Sequence, residues 1–360
     1  MTETIARLTA RPVVVPMRRP LATAGGAVSE APLVLVDVET ASGIVGRAYS
    51  FAYHTWALKP IMAMYEVLAD KVTGKALDPR AVQAELWAAF RLLGAKGVAG
   101  QAISGLDMAL WDALGKSRNL PLYRLLEAEA VAIPAYNSKG LGMIGAEAAA
   151  VEARALLDEG FNAVKLRLGY PTLAEDVAVT RAVKAAIGPD APLMSDYNQS
   201  QDVEEVIRRV KALDGEGLYW VEEPVHYDDF YGHAALRAVV KTKIQTGENC
   251  WFPGEMAKCM AAGACDYFMP DAGKIGGVTG WLGAAKLAAA AHLPISSHLY
   301  PEVSVHLLAA TPTRHWLEYV DWAEPVLVEG LPVVDGHCHP AEKPGIGIEW
   351  NDRAVDKYGV

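Results

Sequence analysis

Apolar positions recur along the chain in two different ways, and the change from one to the other falls near residue 130. Before it, residues 31–39 (APLVLVDVE) and 43–51 read as two strands joined around residues 40–42, a hairpin pattern. Residues 56–72, 79–93 and 98–116 then carry apolar side chains at three- and four-residue spacing and read as helices. The last of them meets stop signals at Gly115 and at Asn119-Leu120-Pro121. From about Ala132 onward, short apolar runs alternate strictly with amphipathic segments. The runs are 131–136, 163–168, 192–196, 218–222, 243–247, 267–270, 294–297 and 315–317, and the helical segments between them include 173–187, 203–213, 254–262 and 278–291. Strand followed by helix, repeated through eight runs, predicts a parallel sheet closed into a barrel. After Glu324, prolines at 325, 332, 340 and 344 break any further repeat, and this tail is expected to return to the first module. The expected organisation is an α+β module over residues 1–130, a (β/α) barrel over 131–323 and a returning segment over 324–360.

Composition narrows the class. The chain has 360 residues, of which 52% are hydrophobic and 21% charged, so disorder is excluded and a sizeable core is affordable. Acidic residues outnumber Lys plus Arg by 43 to 33, and a net charge of -10 repels a phosphate backbone, so no nucleic-acid partner is expected. No membrane span is expected either, because Lys286 and His292 interrupt even the alanine-rich stretch near Ala288. Arginines at 7, 11, 18 and 19 without a long apolar run do not read as a secretory signal, and a cytoplasmic enzyme acting on a small molecule is the expected class. Cys250, Cys259, Cys265 and Cys338 form no CxxC pair and read as buried thiols. The run His337-Cys338-His339 has the residue types of a metal tract, but its side chains alternate faces in an extended segment and no second ligand cluster lies nearby.

The chemistry is concentrated at the strand ends. Asp196, Glu222 and Glu248 each fall at or just past the end of a predicted strand, and they are 26 residues apart, one βα unit per step. Strand C-termini of a βα barrel converge on one mouth, so three carboxylates in this register face a common point and call for a cation. Hard oxygen donors favour Mg²⁺, with Mn²⁺ as a substitute. Taken singly, each acid reads equally well as a helix cap. The register continues through Asp271, His298 and Glu318 at the next strand ends, and Lys165 and Arg167, two apart on an earlier strand, share one face.

These residues, with the segments AYNS, SDYNQS, WVEEP, GEN, MPDAGKIGGVTGW, SSHL, HLLAATPT and HWLE, resemble the mandelate racemase/muconate lactonizing enzyme family of the enolase superfamily over nearly the whole length. The resemblance implies an α/β fold: a modified (β/α)8-type TIM barrel with an α+β capping domain. It also implies a bound Mg²⁺, a homo-oligomer, and removal of the proton next to a carboxylate to give a metal-stabilised enediolate. It assigns Asp196, Glu222 and Glu248 as metal ligands, Asp271 and His298 as a catalytic dyad, and Glu318 as the acid that hydrogen-bonds the substrate carboxylate. Ser138 and Asn198 fall near the metal-bound substrate, Lys274 lines the site, and Glu223 supports the ligands. By the same analogy Leu21, Val28 and Tyr53 of the capping domain form a largely apolar wall, extended by Leu299 and Val320, which suits an aromatic or apolar 2-hydroxy acid.

One position departs from the family pattern. Where a Lys-x-Lys pair supplies the second base of a racemase, this chain has Lys165-Leu166-Arg167, and a guanidinium stays protonated at neutral pH. Arg167 is then expected to be a fixed cation, and Lys165 to have its pKa lowered by the like charge beside it and to be available as a base. Glu318 is expected to act in its acid form. Three outcomes follow: a mandelate racemase-like racemase or epimerase, a hydroxy-acid dehydratase with His298 as main base, and a catalytically silent metal- or ligand-binding barrel.

Overall fold

The structure, a computed structural model, describes residues 3–360. Three antiparallel strands open the chain: β1 (Ile5–Thr23), β2 (Gly26–Thr40) and β3 (Val45–Phe51), in the order β1-β2-β3. Sequence reasoning assigned no element to β1. Its prolines at 12, 16 and 20 and its arginines hide the alternation, and they are tolerated because β1 is the edge strand. Helices α1 (Thr55–Val72), α2 (Pro79–Ala89), α3 (Val98–Ser117) and α4 (Leu122–Leu125) complete this domain. Helix α3 is buried on nearly all sides. It lies so close to β3 that a β-carbon on Gly46 would stand 2.2 Å from the Ala109 carbonyl oxygen, so only glycine fits there.

The barrel is built from β4 (Ile133–Asn137), β5 (Val164–Arg167), β6 (Leu193–Asp196), β7 (Leu218–Glu222), β8 (Lys243–Thr246), β9 (Tyr267–Phe268) and β10 (Leu317–Tyr319). Neighbours pair in parallel from β4 to β9, and β10 returns to β4. The predicted run 294–297 makes no continuous strand. It bridges Phe268 to Ile295, Asp271 to His298 and Ile295 to Arg314, which closes the ring between β9 and β10. Outside lie α5 (Ala146–Leu157), α6 (Leu173–Ile187), α7 (Val203–Leu213), α8 (Phe230–Arg237), α9 (Phe252–Ala261), α10 (Gly277–Ala290) and α11 (Pro301–Ala309). Helix α6 starts on a reciprocal cap between Thr172 and Glu175, and α7 on the side chain of Asp202. No helix among the described residues is long and apolar enough to cross a membrane.

The last segment holds two small strands, β11 (Val333–Val334) and β12 (His337–Cys338), and helix α12 (Asp352–Tyr358). Strand β12 pairs with β4 of the barrel, while Trp350 Nε1 donates to Asp37 at 2.7 Å and Gly359 bridges Val13 in the first domain. Buried carboxylates pin the seam between the domains. Asp107 of α3 accepts the Thr279 N–H at 2.9 Å and the Thr279 hydroxyl at 2.6 Å from α10, and Asp112 accepts the N–H groups of Arg47 and Ile346. Desolvation lifts Asp107 to about 7 despite these donors. The seam sets the first domain over the open mouth of the barrel.

Candidate active site

Register brings the acids together. Asp196 lies opposite Glu222 on adjacent parallel strands, and Arg167 lies opposite Asp196, so the three side chains leave the sheet on one face. Lys165, two residues before Arg167, shares that face. Its Nζ is 2.5 Å from Glu222 Oε1, 2.6 Å from Glu318 Oε1 and 3.4 Å from Asp196 Oδ2, with all four side chains buried. Burial alone pulls the ammonium down, but the Glu222, Glu318 and Asp196 carboxylates outweigh it and hold Lys165 above its ordinary value. The expected lowering by Arg167 is overturned, because three facing anions exceed one like charge. Lys165 is a fixed cation.

Glu318 is corrected in the same way. Burial raises it, yet Lys165 and His298 together bring it below the usual carboxylate range, so it is an anion rather than an acid-form donor. The Ser138 hydroxyl donates to it at 2.7 Å and the Leu299 N–H at 3.0 Å. Arg167 donates to Ser138 Oγ at 2.9 Å and to the Gly140 carbonyl at 2.9 Å, and its buried Nε has no partner. The guanidinium is thus immobilised behind Ser138.

Across the mouth stands the dyad. His298 Nδ1 is 2.6 Å from Asp271 Oδ2, and Gly273 N–H donates to Asp271 Oδ1 at 2.6 Å. His298 Nε2 lies 3.3 Å from Glu248 Oε2 and 3.9 Å from Glu318 Oε2. Burial would lower the imidazole, but Glu248, Glu318 and Asp271 carry it up to about 9. Glu248 itself is raised by burial and by Glu223 and Asp196, against the pull of His298 and Lys274. Lys274 Nζ donates to Asn249 Oδ1 at 2.7 Å and sits 4.3 Å from the centre of the Tyr53 ring. Glu223 accepts from the Thr246 hydroxyl and the Gly247 N–H beside these acids.

The donor set fits a hard cation in chemistry. Asp196, Glu222, Glu223, Glu248, Asp271 and Glu318 outnumber the buried cations Lys165, Arg167 and Lys274, and Glu222 is raised by burial and by Asp196, Glu318 and Glu248, with only Lys165 opposing. The buried Asn198 Oδ1, on the residue whose amide donates to Asp196 at 3.0 Å, has no partner. As they stand, Glu222 is spent on Lys165 and Glu248 on His298, and among the described residues no three His, Cys, Asp or Glu side chains are gathered closely enough to hold an ion.

The site opens into a cavity of about 770 Å³ beneath the first domain. Leu21, Val28, Tyr53, Asn198, Lys274 and Leu299 line it, as expected from sequence, together with Lys165, Arg167, Asp196, Glu248, His298 and Glu318. Ser138 and Glu222 are buried beneath the lining, and Val320 lies off the cavity, in a small void with Tyr49, Phe51 and Tyr300. Sequence reasoning missed Phe51, Trp251 and Trp322, which make the wall more aromatic, and the polar groups Lys96, Gln101 and Asn249. Asn249 and Trp251 follow Glu248 on the same strand-end loop, so the barrel-mouth rule that found Glu248 would have found them too.

A capping α+β sheet over a barrel whose strand ends carry acids and a His–Asp pair defines an enolase-like enzyme fold. Residues 5–127 match the mandelate racemase/muconate lactonizing enzyme N-terminal domain and residues 148–354 match the enolase C-terminal domain-like model. The chain belongs to the mandelate racemase/muconate lactonizing enzyme family. It is 32% identical to the L-talarate/galactarate dehydratase of Salmonella typhimurium, over 91% of this chain and 82% of that one. It is 30% identical to the 3,6-anhydro-alpha-L-galactonate cycloisomerase of Streptomyces coelicolor, over 93% of each. Among solved structures it is similar to an enolase from Bradyrhizobium complexed with magnesium and mandelic acid, with 46% identity, a TM-score of 0.96 and coverage of 100% of this chain and 99% of that one.

Proposed function

We propose that this chain is a Mg²⁺-dependent hydro-lyase that removes the proton next to the carboxylate of a 2,3-dihydroxy acid. The observation that carries the reading is the lack of a second base. Lys165 is locked as an ammonium between three carboxylates and Arg167 is locked behind Ser138, so His298 alone can take up and return a proton. Asp196, Glu222 and Glu248 would hold the cation, the ion also bound by the relative from Bradyrhizobium, and it would supply positive charge beside the substrate carboxylate.

The chain's own residues account for the proton and the charge. A carbon acid of this kind ionises only if the added negative charge on its carboxylate is met by fixed cations. Lys165 stands at that end of the cavity, and Arg167 donates to Ser138, which donates to Glu318, one of the carboxylates paired with Lys165. Asp271 fixes the His298 ring so that Nε2 faces the cavity and Nδ1 keeps its proton. The neutral form of His298, whose share grows as pH rises toward about 9, takes the C2 proton at Nε2, the C3–O bond breaks, and the same proton leaves with the departing hydroxide as water. The enol left behind tautomerises to a 2-oxo acid. One base serving both steps requires the C2 hydrogen and the C3 hydroxyl on the same side of the substrate. The wall of Phe51, Tyr53, Trp251 and Trp322 suits a substrate whose far end is apolar or aromatic.

The same wall, and the relative bound to mandelic acid, favour racemisation of an aryl 2-hydroxy acid as the second reading. Incubation in heavy water with 2-hydroxy and 2,3-dihydroxy acids separates the readings. A 2-oxo acid product, with exchange but no inversion on substrates lacking the 3-hydroxyl, is the expected result. Inversion would establish the racemase, and absence of any exchange would leave a binding barrel.

A further inference from the structure

The turn that delivers His298 is held in a backbone shape that its side chains resist. Leu299 and Tyr300 have φ of 49° and 50°, the left-handed region that residues with a β-carbon avoid. Two such residues in succession persist only where the surroundings over-determine them. From the barrel side, the Leu299 N–H donates to Glu318 at 3.0 Å and the Ser304 hydroxyl donates to the Leu299 carbonyl at 3.0 Å. From the other side the hold comes from the capping domain. Tyr300 Oη accepts the Phe51 N–H of β3 at 2.9 Å, and the Tyr300 ring stacks on Tyr49 with centres 5.0 Å apart. The Tyr49 hydroxyl in turn donates to Glu302, in the first turn of α11, at 2.7 Å.

The Tyr300 hydroxyl also borders the acid of the dyad. A β-carbon on Gly273 would stand 2.5 Å from Tyr300 Oη and 3.0 Å from Asp271 Oδ1, so the phenol and the carboxylate flank a gap that only a hydrogen can fill. Burial, and after it the charge of Asp271, keep the phenol well above its ordinary value, so it stays an O–H.

We propose that Tyr300 is a positioning residue for the His298–Asp271 pair, fastening the turn that carries His298 to strand β3 of the capping domain through the Phe51 N–H, with its hydroxyl set across the Gly273 gap from Asp271. The inference rests on the reading of His298 as the base. It makes docking of the capping domain and alignment of the base a single event, since the Phe51 N–H belongs to the strand that roofs the cavity.

Tyr300→Phe keeps the ring and its stacking on Tyr49 but leaves the Phe51 N–H buried without an acceptor. Misalignment of a base should lower kcat for proton exchange by about ten- to a hundredfold, with KM changed less than about twofold. The amide of Phe51 should exchange with heavy water about tenfold faster or more, while amides in α6 and α7 keep their rates. Gly273→Ala, which drives the phenol and the carboxylate apart, should lower kcat comparably. Combined with Tyr300→Phe, its effect should fall well short of the product of the two single losses. A Tyr300→Phe enzyme with kcat within about twofold of the parent, unchanged exchange at Phe51, or losses that multiply in the double variant would each overturn the proposal. If the parent protein exchanges no substrate proton, the functional reading fails separately, and the Phe51 amide then decides alone: faster exchange upholds the clamp and unchanged exchange overturns it.

Discussion

Removing the ammonium of Lys165 tests the charge balance on which the site depends. Lys165→Met keeps the length and most of the volume of the side chain, so packing is little disturbed, while Glu222, Glu318 and Asp196 lose their shared partner. At an effective dielectric of about 20, each contact near 4 Å is worth about 4 kcal/mol, and the contacts to Glu222 and Glu318 are shorter than that. Part of this is recovered because a carboxylate can protonate. Breaking a buried pair from one side costs about 3–5 kcal/mol. At about 2.1 cal/mol/K of unfolding entropy per residue, a chain of 360 residues shifts Tm by about 1.3 °C per kcal/mol, so a fall of about 4–7 °C is expected with chelator present.

Magnesium supplies the discriminating comparison. Two of the carboxylates that lose Lys165, Asp196 and Glu222, are among those proposed to hold the ion, so the variant should bind Mg²⁺ at least about tenfold more tightly than the parent, a coupling of about 1.4 kcal/mol. Its Tm should rise more steeply with added Mg²⁺. Thermal unfolding with and without chelator, and calorimetric titration with Mg²⁺, read the two effects. A Lys165→Met protein as stable as the parent in chelator, with no gain in Mg²⁺ affinity, would show that the three anions are not paired through this ammonium. Proton exchange should fall in the variant by about a hundredfold or more even with Mg²⁺ saturating, since a fixed cation at the substrate carboxylate is lost.

Other predictions follow from the same geometry. His298→Asn should lower proton exchange by about 10²- to 10⁴-fold with little change in KM, measured by deuterium incorporation. Arg167→Lys should place an amine able to lose a proton where the guanidinium cannot, and inversion at C2, followed by chiral chromatography, should rise from background. Chelation should lower the Tm of the parent, and Asp196→Asn should abolish most of the recovery on adding Mg²⁺. His306, buried with Nδ1 accepting the Tyr123 N–H and Nε2 donating to the Ile346 carbonyl, is lowered to about 4 by burial, against the pull of that carbonyl. Because the folded pKa lies below the unfolded value near 6.5, the stability it contributes is present above 6.5 and is lost as pH falls toward about 4, by about 3 kcal/mol in all. Unfolding free energies of the parent and His306→Gln, compared at pH 7 and pH 4, should converge by about that amount.

The barrel was legible because its strands end on polar residues at a constant interval. Runs 218–222 and 173–187 coincide with β7 and α6 as observed, and the remaining barrel strands differ by a few residues at their ends. Elements without that contrast were not. Strand β1 is broken by prolines that only its edge position permits, and α5, with alanine at 146, 148, 149, 150, 153 and 155, has no strong apolar stripe to mark it. Helix α11 is buried almost all round, so its sequence carries no polar face either. Val320 was drawn into the expected wall by its nearness to Glu318, but one residue past the end of β10 it faces the seam with Tyr49 and Phe51 instead of the cavity.

Charge states were the part of the site that spacing could not reach. Lys165 and Arg167 are neighbours along one strand, and from that alone the lysine should have been weakened as an ammonium. What decides it is the register of β5 on β6, of β6 on β7 and of β4 on β10, which sets Asp196, Glu222 and Glu318 around the same nitrogen. The position of a residue in a barrel follows from its interval in the sequence. Its protonation follows from oxygens on strands up to 153 residues away, and those meet only when the sheet closes. Under the proposed reading, the choice between one base and two rests on the closed barrel acting on Lys165 as much as on the substitution at Arg167. A variant that kept Arg167 but removed Glu222 and Glu318 from Lys165 would free that amine to lose its proton, at the cost of the anions that give the site its cation.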